Sequence, residues 1–170
     1  GTETGLLEIA GGTYEKNPIE ENVTYAAPKD GYKIAQNADG TYGVAVDPAY
    51  GKVAKIGDEY YATLADALAA AKTANMTDVT IILMGDTVKT TTDSFHLVYT
   101  TLFNSVTIKQ ADATKAYYLY DLYTGVRVNG GKFIFDGVNI VVTDQYMFEG
   151  NVKLINNSTI TSTAEANCFV

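Results

Sequence analysis

Phe135-Asp136-Gly137-Val138-Asn139-Ile140 and Ile155-Asn156-Asn157-Ser158-Thr159-Ile160 read as one pattern written twice, twenty residues apart. Each is an extended run, a small polar corner and a second extended run. Asp-Gly and Asn-Asn tolerate the left-handed backbone conformations that turn a strand sharply. Asn at equivalent corners also suits a side-chain ladder between successive turns of chain. Working outward, Lys132-Phe133-Ile134, Val106-Thr107-Ile108 and Val79-Thr80-Ile81-Ile82-Leu83 open with similar extended runs, at spacings of twenty to twenty-seven residues. That period fits one coil of a parallel β-solenoid, in which no coil buries its own apolar side and each needs a neighbour. The competing architecture is an antiparallel sandwich with hairpins at similar spacing. Corner residues recur after residue 112, at Asp136-Gly137 and Asn156-Asn157, which favours the solenoid.

Upstream of these repeats the punctuation changes. Tyr32-Lys33-Ile34-Ala35 and Thr41-Tyr42-Gly43-Val44 flank Asn37-Ala38-Asp39-Gly40, whose Asp-Gly suits the positive φ of a tight hairpin. Val53-Ala54-Lys55-Ile56 and Tyr60-Tyr61-Ala62 form a second candidate hairpin around Gly57-Asp58-Glu59. A single helix is expected next. Thr63 is an N-cap with Asp66 three residues on, and Leu64, Ala67, Leu68 and Ala71 share one helical face up to a stop at Ala74-Asn75. The following run, Val79 to Met84, is apolar at nearly every position and reads as a strand covered on both faces.

The totals bound the function. At 170 residues and 46% hydrophobic the chain can build a core, burying roughly two thirds of its unfolded surface. Twenty acidic against twelve basic residues give a net charge of -8 with no basic cluster, which repels phosphate backbones and argues against nucleic acid as a partner. No stretch approaches the 18 or more apolar residues of a membrane-spanning helix. One cysteine, Cys168, excludes an intrachain disulfide. The residues at both ends suggest that the natural protein continues, leaving the last coil truncated at the C-terminus.

Candidate chemistry is sparse. Asp112, Asp121, Asp136 and Asp144 are isolated and share no register; corner and turn duty explains Asp136, and solvent exposure explains the others, better than paired acid-base work. His96, the sole histidine, has no second ligand nearby, so neither a metal site nor a triad can be built on it. Cys168 reads as a small buried hydrophobe. No calcium or nucleotide loop is present, Gly11-Gly12 and Gly130-Gly131 lacking the required spacing. No catalytic residue, metal ligand or cofactor is therefore expected. The candidate ligand- or partner-contact residues are Tyr117, Tyr118, Tyr120 and Tyr123, from an aromatic run that strand alternation divides between two faces, with Arg127, the sole arginine. Tyrosines that fill solenoid faces and an arginine paired on a strand are the structural alternatives.

Three adjoining stretches carry a family resemblance: Gly11-Gly12-Thr13-Tyr14, Gly31-Tyr32-Lys33-Ile34 through Gly43-Val44, and Val53 to Asp58 with Tyr61 to Ala71. Over residues 11 to 88 they resemble modules that recur in large surface or secreted proteins of gut-type bacteria, where a hairpin and an alanine-rich helix precede a β-helix. The proline loop departs from that pattern, since Pro18 and Pro28 precede Ile19 and Lys29. The resemblance implies an adhesin setting, an extracellular or cell-surface location and a structural or adhesive role, and it supplies no catalytic residue.

The resulting expectation is a mainly β chain. Residues 1–52 form a strand and hairpin module ending a preceding unit. Residues 53–170 form a hairpin, one short capping α-helix and the first coils of a right-handed parallel β-helix-like solenoid. The expected role is a non-catalytic structural or adhesion module, its partners a host or microbial surface protein or glycan and the neighbouring modules of its own parent chain. The alternative is a carbohydrate-binding or carbohydrate-active fragment of polysaccharide lyase or hydrolase type.

Overall fold

The computed structural model describes residues 5–19, 26–87, 103–114, 117–120, 126–142 and 148–162. The chain is mainly β, with one helix among the described residues. It divides into two compact units, Gly1–Gly51 and Lys52–Val170.

The first unit holds β1 (Leu7–Ile9), β2 (Gly12–Tyr14), β3 (Ala26–Pro28), β4 (Tyr32–Gln36) and β5 (Tyr42–Val46). β1 pairs with β3 in parallel. β2, β5 and β4 lie side by side in that order, all antiparallel. The expected hairpin is β4-β5. Gly40 takes φ +85°, and the loop closes through Asn37 N–H on the Thr41 carbonyl at 2.7 Å and Gly40 N–H on the Asn37 carbonyl at 3.0 Å. Asp39 braces it by accepting from both the Thr41 hydroxyl (2.6 Å) and the Thr41 N–H (3.0 Å). The core here is small: Ile9, Ala26 and Val44 are buried, with Tyr14, Ile19, Tyr32 and Ile34 packed around them.

The second unit begins with the hairpin β6 (Ala54–Ile56) and β7 (Glu59–Tyr61), turned by Gly57 at φ +57°. Helix α1 (Leu64–Thr73) follows. The Thr63 hydroxyl oxygen accepts from Asp66 N–H at 3.0 Å, so one orphan donor of the first turn is satisfied. Leu64, Ala67, Leu68 and Ala71 are the buried face, as their spacing requires. The helix ends in a Schellman motif: Asn75 takes φ +53°, its N–H reaches the Lys72 carbonyl at 3.0 Å, and Met76 N–H reaches the Ala71 carbonyl at 3.0 Å.

Beyond the helix come β8 (Asp78–Leu83), β9 (Ser105–Gln110), β10 (Tyr118–Tyr120), β11 (Val126–Asp136), β12 (Asn139–Val142), β13 (Phe148–Ile155) and β14 (Thr159–Ser162). Two sheets result. The larger has the order β13-β11-β9-β8-β6-β7; neighbours are parallel from β13 to β8, and antiparallel where β6 and β7 continue the sheet beyond β8. The smaller, β10-β12-β14, is parallel throughout. One core serves both. Val79, Ile81, Leu83, Val106, Ile108, Phe133 and Phe135 from the larger sheet join Val138 and Ile140 and the buried face of α1. The Phe133 and Phe135 rings sit 5.0 Å apart, tilted by 34°. At roughly 1.5–3 kcal/mol for each large apolar side chain buried, this cluster dominates the stability of the unit.

Two expectations need correction. β8 is not covered on both faces: Val79, Ile81 and Leu83 are buried, whereas Asp78 and Thr80 are exposed and Ile82 is half-buried. A run apolar by composition still obeys the two-residue alternation of a strand. The twenty-residue alignment is also one residue off in the first arm of the repeat. Phe135 stands opposite Leu154 and Asp136 opposite Ile155, an offset of 19, while Asn139 stands opposite Thr159, an offset of 20. The difference is absorbed at the corner.

That corner is where Gly137, Asn156 and Asn157 all take positive φ, at 69°, 50° and 61°. Asn156 donates through Nδ2 to Asp136 Oδ1 at 2.5 Å, and the Thr159 hydroxyl donates to Asn139 Oδ1 at 2.6 Å. Ser158 adds a third link, its hydroxyl lying 2.9 Å from the Phe135 carbonyl and accepting from Val138 N–H at 3.0 Å. A Cβ on Gly137 would lie 3.2 Å from Gln110 Nε2 and 3.5 Å from the Asn156 carbonyl, so the glycine answers to a neighbour on either side.

Candidate functional site

The tyrosine run is partly committed to the fold. Tyr117 is half-buried and packs against the main core. Tyr118, 39% exposed, starts β10; its N–H donates to Asp86 Oδ1 at 2.9 Å and its carbonyl accepts from Thr87 N–H at 3.0 Å. Tyr120 ends β10 opposite Val141 of β12. Tyr123 lies outside the described residues. Arg127 sits in β11, in register with Glu149 of β13 and a strand away from β10 in the chain. Tyr118 is thus the one member of the aromatic set described as an exposed side chain.

The isolated acids do local work where they are described. Asp112 accepts from Thr114 N–H at 2.9 Å and from its hydroxyl at 2.7 Å, a turn brace. Asp136 holds the Asn156 corner. Asp121, Asp144, His96 and Cys168 lie outside the described residues. Among the described residues no group of three His, Cys, Asp or Glu could hold a metal ion, and no helix is long and apolar enough to cross a membrane.

A different feature emerges on the outward face of the larger sheet. Strand alternation sends Phe133 and Phe135 inward and leaves Lys132 exposed on β11; on β13 it leaves Lys153 exposed opposite Ile134. The pairing of β11 with β13 is irregular between Val128 and Phe133, where β11 carries more residues than its partner. Such a bulge re-aims side chains and opens the surface. Here it leaves an open groove of about 430 Å³ lined by Asn104, Gly131, Lys132, Asn151, Val152 and Lys153.

The backbone of the groove is tied down. Lys132 N–H donates to the Asn104 carbonyl at 2.9 Å, Asn104 N–H donates to the Thr77 carbonyl at 2.6 Å, and Asn151 Nδ2 donates to the Gly131 carbonyl at 3.4 Å. Gly131 is obligatory because a Cβ there would collide with the Phe103 carbonyl oxygen and stand 3.2 Å from that of Asn104. The neighbouring acid in the Lys132 row is Asp78, two strands away, which accepts from the Ser105 hydroxyl at 2.6 Å. Sequence reasoning weighed Gly130-Gly131 only as a phosphate loop and so missed the groove. The readable signal was the placement of Lys132 and Lys153 at outward positions of two matched strands. The bulge that brings Asn104 and Asn151 beside them is a property of the pairing and leaves no local signature.

No family model, curated protein or solved structure matches the chain.

Proposed function

We propose that the chain is a non-catalytic structural and adhesion module of a large bacterial surface protein, and that its second unit is a right-handed parallel β-helix closed at one end by α1 and the β6-β7 hairpin. The carrying observation is the alternation of successive strands between two parallel sheets. β9, β11 and β13 belong to the larger sheet, and β10, β12 and β14, which follow each of them in turn, belong to the smaller. A path that visits one sheet, then the other, then returns beside its earlier strand supports the coiled reading. The rungs recur every 27, 27 and 19 residues in the larger sheet and every 21 and 20 in the smaller. The strong handedness of parallel crossovers supports right-handed winding in this reading. Extracellular display, a surface protein or glycan as partner, and neighbouring modules of the same parent chain belong to this reading through the resemblance of residues 11 to 88 to surface-protein modules. The cross-linked Asp136–Asn156 and Asn139–Thr159 pairs favour a stiff spacer that holds its surface in place.

Two experiments test the two halves, and the first is removal of one coil. Deleting residues 137–156 joins Asp136 to Asn157 and keeps a left-handed corner residue at the junction. In a solenoid the shortened chain stays folded, with β-rich circular dichroism and a lower Tm; complete unfolding would overturn the β-helix reading. Displayed on non-adherent cells, the intact chain is expected to raise retention on a glycoprotein-coated surface, and retention equal to that of bare cells would overturn the adhesion reading.

A further inference from the structure

We infer that the groove at the β11 bulge is a binding site for an acidic oligosaccharide, one whose sugar units carry carboxylates. The inference deepens the adhesion reading by naming a ligand class.

Three properties of the groove point to that ligand. The first is charge. Lys132 and Lys153 are both exposed, and neither has an ion-pair partner among the described residues. Lys153 stands opposite Ile134, two residues along β11 from Lys132, so the two sites are diagonal neighbours about 7–8 Å apart at the backbone. Two flexible ammonium groups, each with three donors, can close on one carboxylate or bridge two. In a chain of net charge -8 this is a local reversal of sign, so a polyanion gains where it meets these lysines against a background that is on balance repulsive.

Hydrogen-bonding capacity is the second. The Asn104 and Asn151 side chains each present donors and an acceptor beside the lysines. Asn151 commits one donor to the Gly131 carbonyl, which orients the amide and leaves its oxygen to accept. Sugar hydroxyls both donate and accept, so paired amides fit them better than they fit a simple carboxylate ion. The third is shape. The groove is open and its apolar lining is confined to Val152 among side chains, whereas a peptide ligand calls for an apolar anchor pocket. Gly131 lets the strand lie close against the Phe103 carbonyl, with which any Cβ would collide, and so fixes the backbone beside Lys132.

The test is titration of the intact chain with trigalacturonate and, in parallel, with its fully methyl-esterified form, which keeps the ring shape and removes the charge. Shifts of the Asn104 and Asn151 side-chain amide signals report the site. The acidic trimer is expected to bind at least tenfold more tightly than the ester, and the double variant Lys132→Ala, Lys153→Ala to lose tenfold or more. Lys72→Ala, on the exposed end of α1, is expected to bind as the parent does. Equal affinity for acid and ester, no shift at either asparagine, or equal binding of an aspartate-rich peptide would each overturn the inference. The same samples, assayed for new reducing or unsaturated ends, separate the two readings. Cleavage with binding intact would overturn the non-catalytic role and leave the site standing, whereas retention on glycoprotein surfaces without trimer binding would do the reverse.

Discussion

The β4-β5 hairpin and the β8-β9-β11-β13 ladder are both sheets, and they are specified in opposite ways. In the hairpin the partners Gln36 and Tyr42 are joined by a loop that carries its own instructions, Asn37 to Thr41. In the ladder Asp78 pairs with Ser105 and Ser105 with Lys132, each 27 residues on. Closing the longer loops costs about 1.5 kcal/mol more each by chain statistics, and no turn residue sets their register. What offsets that cost is burial. The hairpin unit buries Ile9, Ala26 and Val44, while the ladder unit buries two stacked phenylalanines, the inward residues of β8 and β9 and the helix face. Turn chemistry therefore organises the first region and a shared core the second.

Phe133→Ala should separate the two most sharply. Phe133 is fully buried between its stacking partner Phe135 and the rest of the core. Its truncation is expected to cost about 3–5 kcal/mol, read as a fall in denaturant midpoint and as faster amide exchange across β8, β9 and β11. A loss below about 1 kcal/mol would mean that the ladder is held by something other than its core.

A paired glycine substitution probes the turns. Gly40→Ala and Gly137→Ala both force an L-residue into positive φ, at 85° and 69°, a strain of about 1–2 kcal/mol. Gly40 has open space where a Cβ would stand, so strain alone should act there. At Gly137 the Cβ also presses on Gln110 Nε2 at 3.2 Å, so the loss should be larger, unless the side chain of Gln110 gives way. Equal losses in urea unfolding would show that the stacked corner is looser than its hydrogen bonds imply.

How much of this was written in the sequence follows the same division. Both hairpins, the Thr63 cap, the buried face of α1 and its stop at Asn75 were readable because each signal and its consequence lie within a few residues. The corners at Gly137 and Asn156-Asn157 were readable for the same reason. The one-residue offset between Phe135 and Ile155 was not, since it arises from how the strands pair and not from either segment alone. The groove was lost on the same ground: Asn104, Gly131 and Asn151 belong to three strands' surroundings, and only the bulge in β11 brings them together. Tyr117 illustrates the converse, a residue singled out for its chemistry that the fold spends on packing.

The smallest effect concerns the hairpin loop alone. The hydroxyl of Thr41 and then its N–H, both hydrogen-bonded to Asp39, hold the Asp39 carboxyl below its ordinary range. Because the folded state favours the ionised form, the stabilisation is fully present above the unfolded-state pKa and is lost as pH falls through the lowered folded-state value. Asp39 is exposed, so the effect should be local: fraying of the loop in acid with little change in global Tm. The carboxyl carbon of Asp39, followed by NMR, is expected to titrate below the same residue in an unstructured peptide. Thr41→Val removes the hydroxyl donor and keeps the N–H, so it should raise the midpoint only part of the way. A midpoint that does not move in this variant would assign the brace to the backbone, and the comparison would then rest on turn geometry without help from the side chain.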